Sequence, residues 1–336
     1  MTNSRRASID IDYMGKNISK DLAPHLLSFR FNDNEGRSDD IQIDLEDRDG
    51  NWHGPWLPNK GDKITAAIVL ENWQKEGTTS RLDCGSFFID DVSFKGPPDL
   101  VSIKALSVPF VEGGKQTKHT RAWENATLPT ILGDVAKSAG LTLVYDAPVY
   151  TYERVDQTKE TDLGFAKRIS KVEGLSVKVM SEQLIVYEQL KYEKKDTVRK
   201  IIKGESDVLS YDFQITAADS QCKKVEISYF DKKKKKYVKY TYDVPGAKSG
   251  PTAKITKKAR SLEEAKRWAQ MEARERNKRM KTAKLTLLGD ENLIQGITVE
   301  LEKFGAFDGK YFIETTGHSV TGGYTVDVNL REVLNY

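Results

Sequence analysis

Asp47, Asp49 and Gly50 lie in the stretch D-L-E-D-R-D-G-N-W-H-G-P-W-L-P-N-K-G-D (44–62) at the spacing of calcium-loop positions 3, 5 and 6. Such a loop also needs oxygen ligands at positions 1 and 12. Those positions fall on Leu45 and Trp56, which cannot ligate a cation. The Asp-Gly step is therefore expected to turn the chain between two extended segments. None of the histidines His25, His53, His119 and His318 stands in H-E-x-x-H or another ligand spacing, so each is expected at the surface or in a structural hydrogen bond. Cys84 and Cys222 lack C-x-x-C spacing and read as reduced, buried thiols rather than a disulfide or zinc site. There is no G-x-S-x-G, no P-loop and no recognisable lysozyme or peptidase segment. Paired carboxylates of the glycosidase kind cannot be singled out among 50 acidic residues. The sequence reads as non-enzymatic, with no catalytic, cofactor or metal residue to assign.

The elements that would have to position any site point elsewhere. A chain of 336 residues, 38% hydrophobic and 31% charged, implies a folded protein with two or more domains. No run of 18 apolar residues and no signal-peptide core occur, so cytoplasmic synthesis without membrane insertion is expected. The net charge of +3 is uneven: residues 191–284 hold 27 Lys and Arg against 13 Asp and Glu, leaving 26 against 37 elsewhere. One basic and one acidic surface follow, suited to orienting partners or a polyanion.

Short β-prone runs separated by Gly, Pro, Asn and Asp fill the first hundred residues, as in an antiparallel barrel or sandwich. After Pro109 an αβ pattern appears twice, 34 residues apart: I-L-G-D-V-A-K-S-A-G-L-T-L-V-Y (131–145) and F-A-K-R-I-S-K-V-E-G-L-S-V-K-V (165–179). Thr127 is a candidate N-cap, and Gly140 a helix stop. Beyond Val198 the chain is β-rich again, interrupted by a helix expected over 261–280 with Ser261 and Glu264 as a capping box. V-E-I-S-Y-F (225–230) and Y-V-K-Y-T-Y (237–242) flank a hairpin tip made of Lys232, Lys233, Lys234, Lys235 and Lys236. That run is a candidate polyanion contact, but a solvated tip that discourages edge pairing is the plainer reading.

The two β regions share a pattern. G-S-F-F-I-D-D-V-S-F-K-G (85–96) matches G-K-Y-F-I-E-T-T-G-H-S-V-T-G (309–322) with two extra residues in the later copy, and G-D-K-I-T-A-A-I (61–68) matches G-I-T-V-E-L (296–301). Gly61, Gly85, Gly296 and Gly309 are thus expected as structural glycines at strand starts. The expected fold is α+β and mainly β: a barrel domain over 1–110, inserted αβ units over 111–195, and a second barrel over 196–336 that contains the long helix.

T-D-L-G-F-A-K-R-I-S-K-V-E-G-L-S-V-K-V (161–179), S-L-E-E-A-K-R-W-A (261–269) and F-D-G-K-Y-F-I-E-T-T-G-H-S-V-T-G-G-Y-T-V-D-V-N-L (307–330) resemble the late control D family of phage tail proteins. That family forms the baseplate hub of contractile tails and is similar to the N-terminal part of type VI secretion spike proteins. The resemblance implies a virion protein assembled in the host cytoplasm. It implies a homotrimer whose six tube-like barrels form a pseudo-sixfold ring between a hexameric tail tube and a trimeric spike. Tape-measure and other baseplate proteins are further expected partners. Because the sequence given ends at Tyr336, the spike is expected to be a separate polypeptide. The stretch 44–62 would connect strands of the first barrel, with Trp52 and Trp56 as candidate interface anchors. Two readings compete with this one: a binding module for nucleic acid or another polyanion through 191–284, and a cell-wall hydrolase, for which the sequence offers no positive feature.

Overall fold

The computed structural model describes residues 4–108, 117–205, 207–216, 222–247 and 249–336. The proposed boundary near residue 110 falls outside them. The fold is mainly β. Seven strands come first: β1 (Arg6–Tyr13), β2 (Lys16–Asn17), β3 (Leu26–Asn34), β4 (Asp40–Glu46), β5 (Lys63–Glu71), β6 (Thr79–Lys95) and β7 (Leu100–Leu106), with a one-turn helix α1 (Ser19–Leu22) after β2. Alternation decides their faces. In D-I-Q-I-D-L-E, Ile41, Ile43 and Leu45 are buried while the residues between them stay partly wet. The strands pair antiparallel in the order β3-β4-β7-β6-β5-β1-β2 around a core that includes Ile11, Phe29, Phe31, Ile68 and Phe87.

Next come β8 (Lys118–Thr127), α2 (Leu128–Ser138), β9 (Thr142–Asp146), β10 (Thr151–Thr161), α3 (Asp162–Val172), β11 (Leu175–Met180), β12 (Gln183–Glu188) and the short α4 (Gln189–Glu193). The repeat is real and larger than the sequence pattern indicates, because each helix is preceded by a strand that ends at its cap. Thr127 and Thr161 accept hydrogen bonds from Thr130 N and Gly164 N, and Gly140 and Gly174 end the helices at φ +71° and +72°. Gly174 is needed twice over, since a Cβ there would lie 2.1 Å from Sδ of Met271. The strands β8 and β10 form an antiparallel ribbon, and β9, β12 and β11 a small sheet. The two helices bury Leu128, Ile131, Leu132, Phe165 and Ala166 between them and these strands.

The remaining elements are β13 (Arg199–Ile202), β14 (Val208–Ile215), β15 (Lys224–Asp231), β16 (Lys236–Asp243), β17 (Thr252–Ala259), α5 (Leu262–Asn277), β18 (Lys281–Leu288), β19 (Thr298–Glu302), β20 (Gly309–Val320) and β21 (Tyr324–Glu332). Helix α5 ends three residues before the expected 280. Ser261 caps Glu264 N as anticipated, but the Glu264 carboxylate reaches Arg260 N at 2.7 Å, one residue outside a regular capping box. Strands β15, β16 and β17 form their own sheet, and α5 lays Ala265, Trp268 and Ala269 on it. The others rejoin the first sheet through β20, giving β14-β18-β21-β20-β3, with β19 and then β13 also reached from β20. Instead of two separate closed barrels, the described residues place both β regions in one 13-stranded sheet whose path ends at β14 and β2.

Candidate assembly surfaces

The four glycines occupy matching positions, but Gly85 lies inside β6, beside a register shift opposite Ala66 and Ala67, and not at a strand start as expected. Gly61 N donates to Ile89 O at 2.8 Å and Ile89 N to Asp62 O at 3.0 Å; Gly296 N donates to Ile313 O at 3.1 Å and Ile313 N to Ile297 O at 2.9 Å. Gly61, Gly85, Gly296 and Gly309 all have positive φ, which a residue with a Cβ adopts only with strain. The correspondence extends outward from them. Strand β5 pairs β6 as β19 pairs β20, β6 pairs β7 as β20 pairs β21, and β7-β4-β3 matches β21-β18-β14. A register shift lies between Ile89 and Asp91 in β6 and between Ile313 and Thr315 in β20; another lies between Leu26 and Ser28 in β3 and between Val208 and Ser210 in β14. Shared bulges fix the equivalence residue by residue. From Ile89/Ile313 to Lys95/Ser319 the copies run in step, so the extra length of the later copy falls in the β20–β21 turn rather than in the strand. One pairing departs: β1 lies antiparallel to β5, whereas β13 lies parallel to β19.

The two regions meet where Thr315–Val320 of β20 pairs with Phe29–Asn34 of β3. His318 and Phe31 stack there with ring centres 6.0 Å apart. His318 Nδ1 lies 2.7 Å from the Tyr324 hydroxyl and Nε2 lies 3.0 Å from Leu293 O. A neutral ring donating from Nε2 satisfies both, and burial holds its pKa down at about 4. Beside it, Asp33 accepts from Lys178 Nζ of β11 and from Gln295 N at 3.0 Å, tying the insert and the second β region to the first. Asp39 stands 3.5 Å from the same ammonium. Burial raises the Asp39 pKa to about 8 against the pull of Lys178. For Lys178, burial works downward but Asp33 and Asp39 produce a net rise.

The stretch 44–62 is a loop closed on Asp47. Its carboxylate accepts from Trp52 N at 2.8 Å and His53 N at 3.1 Å and contacts the His53 ring; Gly50 N returns to Asp47 O at φ +69°. Burial alone would raise the Asp47 pKa, but those donors bring it net below the usual carboxylate value. Trp52 is buried in the first core, and Trp56 is exposed against it with ring centres 5.4 Å apart. Trp56, Leu57, Pro58 and Tyr13 line an open pocket of about 530 Å³. Lys232, Lys233, Lys234, Lys235 and Lys236 are all exposed. Asp231 organises the tip by accepting from Lys233 N and Lys234 N at 2.9 and 3.1 Å. Among the described residues no three His, Cys, Asp or Glu side chains are grouped to hold a metal, and no helix is long and apolar enough to cross a membrane.

No family model matches the chain. Over 176 residues, 51% of its length, it is 28% identical to the probable baseplate hub protein of Escherichia phage 186. The chain is related to phage baseplate hub proteins. The match spans 42% of that hub relative, so the chain covers less than half of it. The fold is similar to that of the 43 kDa tail protein of prophage MuSo2 from Shewanella oneidensis, at a TM-score of 0.70 and 13% identity over 97% of this chain and 98% of that one. It is also similar, at a TM-score of 0.56 and 12% identity over 98% of this chain and 77% of the other, to an Escherichia coli component of the type VI secretion system described as resembling the T4 tail proteins gp27 and gp5.

For a hub relative, two features escaped the sequence reading. Phe230 and Tyr237 stand at the base of the lysine tip and share a pocket of about 580 Å³ with Lys232, Lys258, Arg260 and Arg267, although the tip itself has no aromatic residue. The equivalence of β3 and β14 was also missed, yet a signal was present: L-L-S-F-R-F-N-D (26–33) and V-L-S-Y-D-F-Q-I (208–215) align without a gap.

Proposed function

We propose that this chain is the structural hub of a contractile phage tail or phage-tail-like particle. Three copies, each carrying two equivalent β units, would form a pseudo-sixfold ring that joins the hexameric tail tube to a trimeric spike. The observation that carries the reading is the shared strand order and shared bulges of β1 and β3–β7 with β13, β14 and β18–β21. Two like units in one chain turn threefold symmetry into approximate sixfold symmetry, as a tube-to-spike adapter needs. The likeness in fold to a tail protein and to a type VI secretion component supports the same role. The work is mechanical, with no reaction and no cofactor. In the particle Gly61, Gly296 and Gly309 hold strand starts and Gly85 a bend within β6, Trp56 offers an apolar anchor beside Trp52, and the protein resides in the virion baseplate.

Light scattering on the purified chain, alone and mixed with the tube and spike proteins encoded beside it, tests the proposal. A mass near three times 38.0 kDa for the chain alone, or a complex holding three copies that forms only in the mixture, is expected. A monomer that binds neither partner would overturn it.

A further inference from the structure

The junction between the two β units inside the chain is half of a pair, and the other half is left open. In the closed half, β3 of the first unit pairs with residues Thr315–Val320 of β20. The equivalent of β3 in the second unit is β14, which among the described residues pairs with β18 alone and ends its sheet. The equivalent of Thr315–Ser319 in the first unit is Asp91–Lys95. These residues pair with β7 on one side, while β5 stops at Lys63, opposite Phe88. Among the described residues each chain thus carries one unpaired copy of each edge that meets at its own centre.

We propose that Asp91–Lys95 of one chain pairs antiparallel with Asp212–Thr216 of a second copy, in the register of the internal β20–β3 junction. Carrying that register across sets Val92 opposite Ile215, Ser93 opposite Gln214, Phe94 opposite Phe213 and Lys95 opposite Asp212. The side chains agree with it. On the core face of the closed junction, Phe31 is 1% exposed, His318 0% and Asp33 3%. Their counterparts at the open edges are apolar and less covered: Phe94, with the His53 ring edge-on to it, is 44% exposed and Ile215 57%, with Tyr211 at 47% where Phe29 is fully buried, while Phe213, the counterpart of Phe31, is half-buried against Phe304 and Phe307. Long exposed apolar edges are aggregation sites unless a partner covers them. The one charged pair in the register, Lys95 with Asp212, has opposite signs. Pro97, with no N–H to donate, stops the pairing two residues further on. The contact is head-to-tail, so it propagates until a ring closes.

This inference rests on the hub reading, and the test separates the two. The Lys95→Cys/Asp212→Cys double variant places one thiol on each edge, on the outer face, while Cys84 and Cys222 are buried. Mild oxidation is expected to convert the single-chain band on a non-reducing gel into a ladder ending at three chains, both alone and with the tube protein. Each single variant should stay at one chain. So should Lys95→Cys/Tyr211→Cys, because a one-residue shift puts the thiols on opposite faces. A trimer by light scattering with no bond in the first pair would overturn the edge pairing and leave the hub reading standing. Equal crosslinking of the shifted pair would overturn the register. A monomer that never crosslinks would overturn both.

Discussion

Strands β3 and β14 hold the same place in two equivalent units, yet one is a buried interior strand and the other an exposed edge. Their sequences differ most where their surroundings do. Asp33 of β3 sits in the interior because Lys178 and Gln295 N meet its carboxylate; the matching Ile215 has no such partner and faces solvent. The strand pattern sets the position, and the neighbouring element decides which side chain can live there. Buried charge marks the closed junction, and exposed apolar surface marks the open one.

Exchanging the two side chains breaks the comparison hardest. Asp33→Ile leaves Lys178 buried beside Asp39 without its nearer carboxylate. Removing one member of a buried ion pair costs on the order of 3–5 kcal/mol, so a large fall in the urea midpoint is expected. Ile215→Asp should move the midpoint of the monomer by no more than about 0.5 kcal/mol, as for other exposed substitutions. Similar losses at both sites would mean that β14 is covered within the single chain.

The second contrast is His318 against Phe94. His318→Phe copies the open edge into the closed one and leaves the Tyr324 hydroxyl and Leu293 O without their partner, a cost of about 1–3 kcal/mol. The native residue should also give a pH signature. Its folded pKa of about 4 lies below the ordinary 6.5, so the unfolded chain takes up the proton first. The His318 contribution to stability is therefore full above about pH 6.5 and falls as the pH drops toward 4, by up to about 3 kcal/mol. Asp39, raised to about 8, contributes a slope of opposite sign over the same range in both chains, so the His318 contribution is read as the difference between the native and variant denaturation series from pH 4 to 7. An unchanged slope would remove His318 as its source.

Much of this was legible in the sequence, for local reasons. Gly85 to Ile89 and Gly309 to Ile313 share a five-residue frame because a positive-φ glycine and the same pairing with the preceding strand are required twice. The helix starts at Thr127 and Ser261 were legible because capping is a side-chain reaction with the nearest N–H groups. The ribbon of β8 and β10 was not, because in K-H-T-R-A-W-E-N-A-T no residue is fully buried and only Trp123 and Ala126 are apolar residues packed against the core. Nor was the merger of the two regions, since Asp33 and Gln295 meet across 262 positions and no local pattern encodes such a partner.

The glycine pairs offer a smaller and cleaner comparison. Gly61→Ala and Gly296→Ala each place a Cβ at φ near +90°, a strain of roughly 1–2 kcal/mol. Gly61 and Gly296 make the same two-bond exchange with their partner strand, so the two substitutions should cost nearly the same by thermal unfolding. A difference of more than about 1 kcal/mol, well above the error of comparing two distant sites, would show that the equivalence of the strand starts is only geometrical.

The smallest effect is expected at the lysine tip, which has no counterpart in the first β region. Replacing Lys232–Lys236 by Gln removes five positive charges from exposed positions and leaves the Asp231 turn, built on backbone N–H groups, intact. Stability should stay within about 0.5 kcal/mol. Weaker retention on heparin would follow from the lost charge alone and decides nothing about function. Assembly does decide it. Under the hub proposal, a solvated tip predicts that the variant forms the proposed trimer and enters particles at the native level, because neither edge of the large sheet includes these residues. A variant that folds and trimerises but fails to enter particles would make the hairpin a partner contact, with Phe230 and Tyr237 at its base as the surface to probe next.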